Sequence, residues 1–400
     1  MSKERILKIL QIDNECTGCG ACISSCPKEA LTLLYDKEGF YYPHLDSKRC
    51  IDCKLCEKAC HVLNIIPRNE PSKTYNPFMM KSKDKNVLQN SSSGGAFSFL
   101  SGLVLDQGGI VYGARYNFEA ERLEHCSTDQ CSIEELRKSK YIESFTGKVF
   151  KDVIFQLLNG RKTLFCGTPC QIEGLSHYLK QKNIDTTNLI LVRILCHGVP
   201  ANKYFTEYKH FEEKRFHSKL ISFDFRPKTQ GWWSIDWKMS FQNGVIEQGY
   251  YNLYYYYYYY YLPNNLTLRK CCYNCKYINN ETADFTIADF WGIKQYRPTP
   301  SDNEGISLVL AHTSKANDLL RSISSVCECS QLPQSAVDYI YNSSFRNTEL
   351  FQQRLAMSKR IVEKGFMKIA KDDLKNQIFK NRLFHFKDKL LNRLLRNSKI

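Results

Sequence analysis

The chain has 400 residues, 43% hydrophobic and 24% charged, enough for two or three domains that each bury a core. Eighteen cysteines would suggest disulfides in a secreted protein, but the opening MSKERILKILQIDNEC is charged and lacks an apolar leader run, so the expected compartment is a reducing cytosol. Residues 351–400 hold fourteen Lys/Arg against four Asp/Glu, placing +10 of the +15 net charge there and +5 over the first 350. With no base-reading module beside that charge, a nucleic-acid partner is not expected. No stretch reaches the roughly 18 to 20 uninterrupted apolar residues of a membrane-spanning helix.

Residues 1–66 are cysteine-dense and short-looped, and form the first unit. Cys16, Cys19, Cys22 and Cys26 follow C-x2-C-x2-C-x3-C with Pro27 next; Cys50, Cys53, Cys56 and Cys60 repeat the spacing. Such a run lets three thiolates grip one 4Fe-4S cubane while the fourth reaches across to the other. The expected ligand sets are therefore Cys16, Cys19, Cys22 with Cys60, and Cys50, Cys53, Cys56 with Cys26. Structural zinc rarely uses four cysteines so close in one run, still less twice. His61 stands where the bacterial ferredoxin pattern has proline, and is expected to reshape the local backbone while leaving ligation intact. PRNEPSKTYNP follows, polar with three prolines, and 67–78 reads as a linker.

Beyond the linker, SSSGGAFSFL (91–100) sets glycines and hydroxyls before an apolar helical run, a pattern that suits either a serine-capped turn or a phosphate at a helix N-terminus. Strands at GGIVYGARY, KTLFCG and LILVRILC alternate with helices at KVFKDVIFQLLNG and from Gln171, which argues for an α/β arrangement with a largely parallel sheet. In LFCGTPCQIEGL, Cys170 falls in a helix first turn, where the dipole is expected to lower its pKa; Cys166, on the strand, reads as core. Cys196 of LVRILCHGVP occupies the equivalent strand end, so Cys170 and Cys196 can share one crevice.

ISFDFR and WWSIDWKMSF, followed by Asn-Gly, read as antiparallel strands. Eight tyrosines, Tyr254 to Tyr261, read as an expanded aromatic segment. RKCCYNCKY then adds Cys271, Cys272 and Cys275. DFTIADFWG and GISLVLAH are further strands, with a helix near 315–323. Cys126, Cys131, Cys327 and Cys329 have no ligand spacing and read as structural. In the tail, Phe379, Leu383, Phe386, Leu390 and Leu394 recur every three or four residues among lysines and arginines, an amphipathic basic helix for the body, a partner subunit or an anionic membrane surface.

GGIVYGARY, SKYIES, GTPCQIEGL, CHGVP, LRKCCYNC and DFTIADFWGI, in this order after a double ferredoxin motif, resemble the beta-subunit family of coenzyme F420 hydrogenase/dehydrogenase over roughly residues 10 to 325. The resemblance implies a flavoprotein with iron-sulfur centres. It implies FAD contacts at the SSSGG turn (Ser92, Ser93, Gly94, Gly95) and at Lys140 and Ser144, with Gly167 and Thr168 beside them. It also implies a third 4Fe-4S cluster on Cys170, Cys196, Cys272 and Cys275, leaving Cys271 a bystander.

The expected fold is thus mixed, α+β and α/β. A bacterial-type two-cluster ferredoxin domain (1–66) and linker precede a mixed-sheet flavin-binding domain (79–345) and a basic helical tail (346–400). The expected function is electron transfer between an external one-electron carrier protein and a small-molecule hydride acceptor, deazaflavin or other, through the clusters and FAD. The rivals are a non-catalytic relay subunit of a larger complex and a zinc-dependent module built on CCYNC.

Overall fold

The computed structural model describes residues 7–65, 75–234, 236–249, 264–278, 282–296, 303–322, 327–337 and 348–376. The tyrosine run and the apolar stripe from Phe379 to Leu394 lie outside the described residues.

The first unit holds two short helices, α1 (Ala21–Ser25) and α2 (Leu55–Lys58), and a hairpin of β1 (Leu31–Tyr35) and β2 (Tyr41–Leu45). Its core is small: Leu7, Ile9, Ile23, Leu31, Leu33 and Val62 pack around Cys22, Cys56 and Cys60. So few apolar residues leave the unit dependent on what its cysteines hold and on the body it packs against.

β3 begins at Asn76, inside the stretch read as linker. Pro77 is tolerated near the strand start because its carbonyl still accepts from Leu332 N at 2.8 Å. After α3 (Lys85–Gln89) and α4 (Ala96–Leu105) come β4 (Ile110–Asn117), β5 (Arg122–Ser127), α5 (Ile133–Leu136) and α6 (Val149–Leu158). Then follow β6 (Thr163–Gly167), α7 (Pro169–Gln181), β7 (Leu189–Ile194) and α8 (Asn202–Phe216). β8 (Leu220–Asp224), β9 (Trp237–Phe241) and β10 (Ile246–Gly249) form a separate antiparallel sheet. β11 (Phe285–Asp289), β12 (Ser307–Ala311), α9 (Ser314–Ser322), β13 (Cys327–Gln331) and α10 (Thr348–Lys364) complete the labelled elements.

The main sheet runs β13-β3-β12-β11-β7-β6-β4-β5. Its β11-β7, β7-β6 and β6-β4 ladders are parallel and the other four antiparallel. The sheet is therefore mixed, less parallel than the strand-helix alternation suggested, because β12 runs antiparallel to β11 and β3, β13 antiparallel to β3, and β5 folds back on β4.

Alternate side chains go to opposite faces. Val111, Leu164, Ile190 and Val192 meet Leu100 and Val104 of α4 and Leu320 of α9. Ile110, Tyr112, Phe165 and Leu191 meet Phe150 of α6 and Ile172 and Leu175 of α7. The second face also takes Ala21 and Ala59, so the cysteine-rich unit docks on the α6–α7 layer.

The pairings orient β3, β4, β6, β7 and β11 the same way, so their C-terminal ends share one edge. Loops from that edge bring the SSSGG turn after β3, Gly167–Thr168 after β6 and Cys196 after β7 to one side, the usual ligand crevice of an open α/β sheet.

The tail is partly integral to the body. α10 and a helical stretch over 366–376 bury Met357, Ile361, Phe366 and Ile369 against α8 and the small antiparallel sheet.

Candidate functional site

The two N-terminal sets come together across the chain, as the crossover pattern requires. Cys22 lies within electrostatic reach of Cys16, Cys19 and Cys60, and Cys19 of Cys16 and Cys60. Cys26, Cys50, Cys53 and Cys56 line one small cavity with Pro27 and Ile51. Backbone amides approach this set: Ala30 N donates to Cys26 Sγ at 3.3 Å and Asp52 N to Cys50 Sγ at 3.5 Å. Cys53 is exposed whereas Cys22 and Cys60 are buried, so the second set faces outward and the first faces the body.

Burial pushes the Cys19 thiol up to about 12, Cys22 well above its usual range and Cys56 to about 11. Thiolates packed this way need a cationic centre among them, which is what a cluster supplies. The donor set fits.

A third thiol group lies where the crevice meets α7. Cys170 has Cys196, Cys275 and Cys272 within electrostatic reach. They come from three places: the first turn of α7, the loop after β7, and a 3-10 turn spanning Lys270–Asn274 with Cys275 as its C-cap. Thr168 Oγ1 lies 3.2 Å from Cys170 Sγ, and Gly198 N donates to Cys196 Sγ at 3.3 Å. Cys271 touches Cys272 by side chain. The lowered Cys170 pKa expected from the helix dipole is not found. Burial and the neighbouring thiols raise it well above its usual value.

The thiol spacing is itself informative. Among the described residues, the one group of three or more His, Cys, Asp or Glu ligand atoms lying mutually within 4.8 Å is Glu121, His210 and Glu213. There the buried Lys209 ammonium already takes both carboxylates, at 2.7 and 2.8 Å. No cysteine set is that tight, whereas sulfurs around one tetrahedral zinc sit about 3.8 Å apart.

The first set and the third group meet along α7. A Cβ added at Gly174 would come within 2.7 Å of Cys19 Sγ and 3.4 Å of His61 Nδ1. Cys170 lies four residues earlier on the same helix face, about 6 Å along the axis. Tyr277 bridges the gap: Cys170, Cys19 and Cys60 all lie within electrostatic reach of its hydroxyl, and its ring stands edge-on to His61 at 4.7 Å. His61 is buried, 3.7 Å from Cys19 Sγ and 3.4 Å from Thr17 Oγ1, and burial lowers its pKa to about 3.

Arg269, adjoining the CCYNC turn, is fully buried. Its Nε donates to Cys16 O at 2.7 Å, Nη2 to Tyr41 O at 2.8 Å, and Nη1 to Glu143 Oε1. Sequence reasoning missed Arg269, Glu143, Gly174 and Tyr277. Only the position of Arg269 and Tyr277 flanking the cysteine turn hinted at any of them.

The residues expected at FAD fall into two contiguous patches on the crevice side. In the first, Ser92 Oγ accepts from Ser139 N at 2.7 Å, Ser93 Oγ donates to Ile306 O at 2.6 Å, and Gly94 N donates to Ser307 Oγ at 2.9 Å. A Cβ on Gly94 would meet Met80 O at 2.1 Å, so this glycine serves the chain's own packing. Gly95 caps α4 with φ +95°. Lys228 Nζ holds the turn through Leu88 O and Ser93 O at 2.7 and 2.9 Å, and burial lowers it to about 8.

In the second patch, Ser144 Oγ pairs with His125 Nδ1 at 2.6 Å, and His125 Nε2 with Cys166 O at 3.1 Å, next to Gly167 and Thr168. Lys140 lies between the patches. Its ammonium donates to Arg137 O at 2.6 Å, and burial lowers it to about 8. Thr168 is occupied in a capping box with Gln171. His197 Nε2 pairs with Asn265 Oδ1 at 2.7 Å, which orients the loop before CCYNC.

On this geometry the family comparison falls into place: residues 160–334 match the C terminus of the coenzyme F420 hydrogenase/dehydrogenase beta subunit, and residues 15–64 match the 4Fe-4S dicluster domain. Residues 160–334 belong to that beta-subunit family. The beta-subunit domain thus contains Cys170, Cys196, Cys272 and Cys275, and the dicluster domain contains the eight N-terminal cysteines. The chain is 24% identical over 217 residues to the F subunit of the F(420)H(2) dehydrogenase of Methanosarcina mazei, covering 51% of this chain and 60% of that protein. It is 42% identical over 50 residues to an uncharacterised ferredoxin of Methanocaldococcus jannaschii, covering 12% of this chain and 64% of that one. It therefore spans less than two thirds of the length of either. A chain of the F420-reducing [NiFe] hydrogenase complex from Methanosarcina barkeri aligns at 15% identity and TM-score 0.44, covering 75% of this chain and 95% of that one. Among the described residues no helix is long and apolar enough to cross a membrane.

Proposed function

We propose that this iron-sulfur protein is a flavin-dependent oxidoreductase. It would carry electrons between an external one-electron carrier and a small-molecule hydride acceptor, with Cys170, Cys196, Cys272 and Cys275 holding a third cluster between the dicluster unit and FAD. The observation that supports it best is the α7 face: Cys170 and Gly174, one turn apart, put the third thiol group beside Cys19 of the inward-facing set. The outward set, with exposed Cys53 and Ile51, is then the end that meets the carrier.

The residues present suit a flavin on the crevice side. Ser92, Ser93, Gly94 and Gly95 would lie along it with Lys140, Ser144, Gly167 and Thr168. Buried Arg137 Nε and Ser98 Oγ, on the same two segments as Lys140 and the SSSGG turn, have no hydrogen-bond partner. The bound flavin would supply the exchange between one- and two-electron chemistry. The chain's own residues hold, order and bury it. Deazaflavin is one candidate acceptor, on the analogy of the relatives alone.

Acid release and identification of the flavin, from chain purified anaerobically and reconstituted with FAD, tests this. Retained FAD that is bleached by a one-electron donor supports the reading. A chain that retains none after reconstitution is the relay subunit instead. The absence of any tight cysteine trio among the described residues disfavours the zinc module.

A further inference from the structure

The proposed electron route leaves several thiols unused, among them two that touch. Cys126, at the end of β5, and Cys131, just before α5, have their sulfurs 2.9 Å apart. A disulfide is about 2.04 Å, so about 0.9 Å of side-chain movement separates contact from a bond. The backbone between them is a formed turn: Gln130 N and Cys131 N both donate to Ser127 O, and Ser127 N donates to Gln130 Oε1 at 3.1 Å.

Exposure divides the two. Cys126 is buried with the α4 layer, while Cys131 is half-exposed. Cys19 packs on the opposite, α6–α7 face of the sheet, so the pair stands apart from the cluster thiols. Contact with Cys126 lowers the Cys131 pKa, and the Arg115 guanidinium acts in the same direction against burial. An accessible thiol inclined to thiolate, with a shielded partner in contact, is the arrangement of an attacking and a resolving cysteine.

We propose that Cys126 and Cys131 are a reversible redox site, oxidised to an intramolecular disulfide by low-molecular-weight disulfides and reopened by their thiols. The Cys131 thiolate attacks one sulfur of the reagent and expels its first thiolate, leaving a mixed disulfide. Cys126 then loses its proton and attacks Cys131 Sγ, and the second reagent thiolate leaves. Two protein thiols are oxidised by two electrons and one reagent disulfide becomes two thiols, so protons and electrons balance.

The sequence supplies a clean readout. Cleavage after Arg122 and Arg137 frees Leu123–Arg137, which contains these two cysteines and no others. Holoprotein purified anaerobically is equilibrated with glutathione and glutathione disulfide over a series of ratios, acid-quenched, alkylated and cut with trypsin. The peptide should pass from doubly alkylated to unalkylated and lighter by two hydrogens, and return when the ratio is reversed. In Cys131→Ser, Cys126 should stay alkylatable throughout. The proposal is overturned if the wild-type peptide stays doubly alkylated across the series, if it stops at the glutathione adduct, or if Cys126 bonds a cysteine outside the peptide. The wild-type series decides the matter even if the variant misfolds.

Discussion

Arg269 concentrates the consequences of burial in one side chain. It ties Cys16 and Tyr41 of the dicluster domain to the CCYNC turn, and burial raises the Glu143 carboxyl to about 7 even though the guanidinium pulls it down. Replacing one member strands the other in the interior, so Arg269→Met should cost about 3–5 kcal/mol, read as a lowered denaturation midpoint together with lost iron. The proposed ligand set separates two adjacent cysteines, although both lie near Cys170. Cys272→Ser should lose about four irons and keep the N-terminal clusters, while Cys271→Ser should lose none, by iron analysis of anaerobically purified variants. His125 gives a pH signature. Burial lowers it to about 4, below the ordinary value near 6.5, so the folded chain binds fewer protons between those values. Its contribution is present above about pH 6.5 and lost as pH falls towards 4, about 3 kcal/mol in all. His125→Gln should flatten the slope of denaturation midpoint against pH in that window; an unchanged slope would refute the assignment.

At the scale of elements, α7 and α10 act as connectors. A glycine inside a helix is ordinarily a weakness of about 1 kcal/mol relative to alanine. At Gly174 the close approach to Cys19 reverses that preference. Gly174→Ala should therefore lower the iron content of the first set despite its better helix propensity, by iron count and visible absorption. α10 reaches back further. Arg354 donates to Glu38 of the dicluster unit and, through Nε, to Leu268 O at 3.0 Å, while Phe351 packs edge-on to Tyr273 at 5.6 Å. Arg354→Ala leaves the buried Glu38 carboxylate with only the Lys270 ammonium, at 3.8 Å, and should destabilise the chain by up to about 3 kcal/mol, again read by denaturation.

Those two elements also mark where sequence reasoning reached its limit. The strands at β4, β6, β7, β11 and β12 and the helix at α6 were legible because alternation and periodicity are local. The crossover of Cys26 and Cys60 was legible because the ferredoxin spacing encodes it. The return of α10 onto CCYNC was not: Arg354 looks like one more charge in a basic tail until Glu38, more than three hundred residues away, is placed beside it. The antiparallel direction of β12, and β13 altogether, escaped for the same reason, since strand direction depends on connections that no local pattern records.

Taken whole, the proposed route would run from exposed Cys53 through the inward set at Cys19 and the group around Cys170 on α7 to the crevice turns at Ser92 and Gly167. The central claim is that the beta-subunit domain carries its own cluster and a flavin. Iron, zinc and flavin counted together on the anaerobically purified chain test it most directly. The account predicts about twelve irons and one flavin per chain, with about eight irons in Cys272→Ser. About eight irons with one zinc, or no flavin after reconstitution, would contradict it.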